Sequence, residues 1–187
     1  MTEEQFDGVC IFCDEGGLPD DCKECPACLE PPFSGMMFDP ARKEQADRLE
    51  KEGDLDGAWE ILSDDWMAHT DVDYYDDEMA SRLNQWICDL FERNPGMIEQ
   101  RVRMKLLEKD VMHYWGLHDD AIRNSEDAMR IAKEAGRPDL ELEALDSHEG
   151  SQIGRYGGSQ NVPQKEDIER YREDILERLE KQKYGSE

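Results

Sequence analysis

Basic residues are scarce in this chain: 22 Lys and Arg stand against 47 Asp and Glu in 187 residues, for a net charge of −25. That shortage disfavours an autonomous nucleic-acid binder, because the phosphate backbone would meet a repulsive mean field. Long apolar runs are missing as well. No stretch reaches the roughly 18 residues that read as a membrane span, and Met1 to Gly8 has neither the basic start nor the apolar stretch of an export signal. The expectation is a cytoplasmic protein with no membrane contact. Alternating strand segments of useful length do not occur, so no sheet is expected. Catalytic signatures are equally thin: there is no His-Glu-x-x-His, no glycine-rich phosphate loop and no nucleophile elbow. The histidines His69, His113, His118 and His148 are scattered, and Gly116 breaks the helix between His113 and His118, so that pair shares no helical face. On these absences the chain reads as non-enzymatic.

Acid in such excess can signal disorder. Here it is spread along the whole chain and interleaved with four Trp, five Phe and six Tyr, which a disordered acidic tail would lack. A halophile-like surface is the favoured explanation. At about 1 M salt the Debye length falls to roughly 3 Å, and a dense carboxylate shell then stays soluble without repelling itself. A basic partner is the rival explanation. The run Asp71 to Glu78 lacks the central glycine and distal glutamate of a calcium loop. It reads as an acidic helix N-terminus favoured by the helix dipole, with the cap near Asp73.

Five of the six cysteines lie close together, as Cys10-Ile-Phe-Cys13 and Cys22-Lys-Glu-Cys25-Pro-Ala-Cys28, and Cys88 stands apart. A two-residue spacer turns the chain tightly enough for both thiolates of a pair to reach one ion, about 2.3 Å away for zinc. So short a segment buries little core, and a structural metal is the expected source of its folding energy. The cluster resembles a zinc-ribbon or rubredoxin-type knuckle pair, with Cys25-Pro-Ala-Cys28 as the Cys-Pro-x-Cys knuckle; the glycine that usually follows is Leu29 here. The resemblance implies a structural zinc held by Cys10, Cys13, Cys25 and Cys28, with Cys22 as the substitute for Cys25. An iron–sulfur cluster competes, because Cys22, Cys25 and Cys28 form a Cys-x-x-Cys-x-x-Cys run, although the fourth cysteine such runs carry is missing. Disulfide or redox thiols are a third reading, disfavoured by the odd number and the absent export signal. Residues 29–39 form a Pro- and Gly-punctuated connector. Cys88, beside Trp86 and Ile87, is expected to be a small core residue.

From Asp39 onward the period is helical, and glycine or proline marks each break. The spacing predicts helices over 39–53, from about 55, from about 73 to 94, over 97–115, over 119–135, over 139–156, and from Pro163 to about 183. The domain reading is accordingly a module with its connector over 1–38 and an all-α domain over 39–187. Short turns imply antiparallel neighbours.

Gly53-Asp-Leu-Asp-Gly-Ala58-Trp59 and Gly116-Leu-His-Asp-Asp-Ala121-Ile122 share a pattern of Gly, four residues, Ala and a large apolar residue. Ala128 and Ile131 follow, then Gly150, Ile153 and Gly157. This resembles the tetratricopeptide repeat, whose small residues let paired helices approach. The departures are a missing tryptophan at the start of the unit, Lys133 in place of proline, and Asp65 in place of the second alanine after Ala58. The resemblance implies antiparallel helical hairpins and an adaptor that binds a protein or peptide on the helical scaffold. One alternative is a zinc-finger factor associated with nucleic acid or with a ribosome or transcription complex. Direct phosphate contact is disfavoured because only Lys23 stands among Asp14, Glu15, Asp20, Asp21, Glu24 and Glu30. A second alternative is an iron–sulfur or thiol redox protein.

Overall fold

Punctuation in the sequence becomes helix ends in the computed structural model, which describes residues 39–71 and 76–184. The five clustered cysteines, the connector up to Phe38 and Asp73 lie outside the described residues, and the metal reading with them. Among the described residues there are seven helices and no strand: α1 (Pro40–Glu52), α2 (Leu55–His69), α3 (Asp77–Arg93), α4 (Ile98–Tyr114), α5 (His118–Glu134), α6 (Pro138–Tyr156) and α7 (Lys165–Tyr184). None is long and apolar enough to cross a membrane. Two starts differ from expectation. The side chain that caps α3 is Asp76, which accepts from the Met79 amide at 3.0 Å, so Asp77 and Glu78 occupy the first turn where the dipole favours them. The last helix begins after Gln164, whose φ of 60° is left-handed and delays the start beyond Pro163.

Packing is tightest in α4, α5 and α6. The buried face of α5 is small, with Ala121, Ser125, Ala128 and Ala132 all fully covered, and this lets its neighbours approach closely. Val102 of α4 and Leu140 and Ala144 of α6 close on that stripe, with Ile98, Leu106 and Ile131 around them. A second group forms around α2, which buries Ala58, Trp59, Leu62 and Trp66 between α1 and α3. Asp65, the departure noted above, accepts from Arg42 of α1 at 2.6 Å. Glu50 of α1 receives Arg93 through two bonds of 2.9 and 2.8 Å at the far end of α3.

Antiparallel pairing fails at one step. Helices α3 and α4, though consecutive, are not packed backbone to backbone, whereas α2 comes close to α4 and α4 to α6. The buried stripe of α3, Ala80, Leu83, Ile87 and Leu90, is a single i, i+3, i+7, i+10 face that cannot serve two neighbours at once. Cys88 lies about 100° around the helix from Ile87. It is exposed, so it is not the core residue expected of it.

Candidate functional site

The space left between α3 and α4 is a cleft in two joined parts, sharing Asn84, Lys105 and Glu108. One part, about 370 Å³, is walled by Ile87, Cys88 and Phe91 of α3, Pro95 of the turn, Met104 of α4 and Ile131 of α5. The other, about 700 Å³, takes Trp66 and Thr70 from the end of α2, Val111 and Met112 from α4, Trp115 and Leu117 from the following turn, and Asp120 and Arg123 from α5. Leu117 is 44% exposed, a large apolar side chain left uncovered at the rim.

Charge in the cleft is close to balance, in a molecule whose total is −25. Glu92, Glu108, Asp120 and Asp127 face Arg101, Lys105 and Arg123. Lys105 pairs with Glu108, Arg123 with Asp120, and Asp127 with Arg130 from outside. Partial desolvation against the cleft wall raises the Cys88 thiol above its ordinary range, though the residue as a whole is exposed, and the Glu108 carboxylate adds to the rise. Cys88 is therefore a neutral thiol at pH 7, without the thiolate character a reactive cysteine needs.

A serine–histidine contact lies elsewhere, between α5 and α6. Ser125 is fully buried and His148 nearly so, with Oγ and Nδ1 3.0 Å apart. Ser125 donates to the Ile122 carbonyl at 2.7 Å, so its oxygen accepts from His148 Nδ1–H. Gln152 donates to His148 Nε2 at 3.0 Å. The imidazole lone pair is thus engaged by Gln152 and is not aimed at the hydroxyl, and the trio ties two helices together. Burial lowers the His148 pKa, with Glu126 offsetting part of the effect. The unfolded chain therefore takes up the proton first as pH falls. Stability from this group is complete above about pH 6.5 and is lost as pH drops toward the lower folded value. Urea midpoints are expected to fall between pH 7.5 and 5.5, and less so in His148→Gln; equal slopes for the two proteins would contradict this.

Other expected positions divide. Ala121 and Ala128 are fully buried as small packing residues, and Ile131 is half-buried against the same core. Gly150, expected at a close approach, is exposed, with open space where a Cβ would sit. The crowded glycine is Gly154, where a Cβ would lie 2.3 Å from Cε1 of His113. Nor are the histidines all scattered: His113 and His118 meet across the α4–α5 turn, with ring centroids 5.1 Å apart and planes at 62°. They belong to different helices, as the break at Gly116 requires, and the reversal itself brings them together. Among the described residues no group of three or more His, Cys, Asp or Glu is arranged to hold a metal ion. Compared with known protein families, curated proteins and solved structures, the chain has no match.

Proposed function

We propose that this protein is a non-enzymatic, zinc-binding adaptor whose helical domain receives an apolar segment of a partner protein in the cleft between α3 and α4. The observation that carries this reading is the separation of two consecutive helices around a nearly charge-balanced space on a strongly acidic molecule, apolar in its narrow part and mixed in its wide part. A volume of some hundreds of Å³ lined by aromatic and aliphatic side chains is what binding sites offer, and a balanced lining favours apolar contact over recognition of ions or phosphate. From Ala80 to Glu92 the α3 wall runs about 18 Å, enough to lie beside roughly three turns of a partner helix. The tetratricopeptide-like turns support the same class of function. Zinc at Cys10, Cys13, Cys25 and Cys28 would fold the N-terminal module without an open coordination position for chemistry.

The test is affinity capture from host extract at the host's own salt, with Cys88→Trp beside the wild type. Cys88 is exposed on the cleft wall, so an indole there fills the narrow part without removing core. The wild type is expected to retain a stoichiometric protein partner that the filled variant loses at unchanged far-UV helicity. Equal retention by both would contradict the cleft assignment.

A further inference from the structure

We propose that His113 and His118 form a two-imidazole site for a divalent transition-metal ion, zinc foremost, at the α4–α5 turn. The turn is built to bring the rings together. His113 sits in the last turn of α4, His118 opens α5, and Gly116 between them takes φ of 74°, a left-handed conformation that reverses the chain at little cost to glycine. A seat is kept for one ring: the His113 imidazole occupies the space that any side chain at Gly154 of α6 would need, 2.3 Å from the Cβ position.

Nitrogen chemistry singles this pair out. Nδ1 of His113 and Nδ1 of His118 are both buried, and neither has a hydrogen-bond partner in the protein. Elsewhere the same fold provides for a buried imidazole fully, giving His148 a partner on each nitrogen. Two buried ring nitrogens without a protein partner, on rings in edge-to-face contact, each call for a partner, and one ion can serve both. The spacing fits one. A zinc–nitrogen bond of about 2.0–2.1 Å puts the ion roughly 3.2 Å from each ring centroid, and a tetrahedral angle then separates the centroids by about 5.2 Å. The observed separation is 5.1 Å. Imidazole suits zinc, nickel and copper, and not the hard cations that prefer oxygen. With two protein ligands, the remaining positions fall to water or to a donor from a bound partner. Asp119, beside His118, is held by Arg155. Trp115 and Leu117, between the two histidines, line the wide part of the cleft, so an ion here would fix the turn that presents them.

The experiment is a ZnCl₂ titration of the full chain labelled with ¹⁵N at histidine, recording side-chain nitrogen shifts. Because each ring is read individually, metal on the cysteines does not confuse the result. Saturable, matching shifts of Nδ1 in His113 and His118 are expected, with His148 unmoved. His118→Asn should abolish the His113 shift, and Gly154→Ser should do the same while keeping both imidazoles. An unchanged His148 signal in each variant verifies the fold. Zinc that leaves either ring unmoved, or a His113 shift that survives His118→Asn, would overturn the site.

Discussion

Replacing Arg178 by alanine is expected to lower the unfolding free energy by about 3 kcal/mol, the lower end of the range for breaking a buried ion pair. Glu141 of α6 has no exposed side-chain surface, and Arg178 of α7 holds its carboxylate through two bonds of 2.7 and 3.0 Å. Tyr171 donates a further bond from its hydroxyl, and the Lys133 ammonium lies 5.0 Å from the centre of the Tyr171 ring. Little else docks α7, since Ile175 is its only fully buried residue. Arg172 adds bonds to Asp146 and Glu149 nearer the surface. Without Arg178 the Glu141 charge stays buried with the Tyr171 hydroxyl as its remaining side-chain bond and the Lys133 charge as a weaker neighbour. Because the Arg178 side chain is 32% exposed, water can reach part of the gap, which is why the lower figure applies.

The pH dependence of this network has a definite sign. Burial by itself would raise the Glu141 pKa, but the bonds from Arg178 and Tyr171 outweigh it and hold the carboxyl below the ordinary glutamate range. The Tyr171 hydroxyl, buried beside that carboxylate, is pushed up to about 12 and stays protonated. A depressed carboxyl contributes stability above the unfolded value, near pH 4.3, and loses it as pH falls through the folded value. The stability gap between wild type and Arg178→Ala should therefore be widest near neutral pH and shrink on acidification, because without Arg178 burial raises the Glu141 carboxyl and protonation relieves its unpaired charge. Leucine at both 141 and 178 should recover much of the loss, because the strain lies in an unpaired charge and not in missing volume. Urea unfolding followed by far-UV circular dichroism measures all three proteins, and a loss under about 0.5 kcal/mol for Arg178→Ala would mean the pair is merely a surface contact.

The second large effect concerns the N-terminal module. Cys13→Ser is expected to remove the zinc proposed at Cys10, Cys13, Cys25 and Cys28 and unfold residues 1–38, since structural zinc supplies on the order of 10–16 kcal/mol in small modules. Helicity from the seven helices should survive, because Val102, Ala128 and Ala144 pack among α4, α5 and α6, and Trp59 and Leu62 are buried in α2. Elemental analysis beside circular dichroism gives the answer. Iron in the wild type would replace zinc by the iron–sulfur alternative, and global loss of helix in the variant would contradict two independent modules.

Helix ends were legible because they are local events. Asn94-Pro95-Gly96 stops α3, and Gly116, Gly136 and Gly157 take positive φ at the turns where the period breaks. Small residues at 121 and 128 marked a close approach for the same reason, as they follow the helical period on one face. What was illegible depends on tertiary geometry. A turn signal states that a helix ends, without fixing the angle at which the next departs, so the gap between α3 and α4 carries no local mark. The exposure of Cys88 follows from that gap, whose wall it forms. The meeting of His113 and His118 leaves no mark in the spacing along one helix, because the contact crosses a reversal. Gly150 and Gly154 are indistinguishable by type, and only the ring against Gly154 separates them. Glu141 gave no signal at all, being one acid among 47 Asp and Glu until Arg178 and Tyr171 of α7 are seen to enclose it.

The adaptor reading is tested most directly by hydrogen–deuterium exchange on the captured complex at the host's salt. Amide exchange slows where a partner covers or stiffens backbone. Slower exchange is predicted in residues 80–92 of α3 and 104–117 of α4 and its turn, the two walls of the cleft, with α7 unchanged. Protection confined to residues 1–38 or to α7, with both walls exchanging as in the free protein, would contradict it.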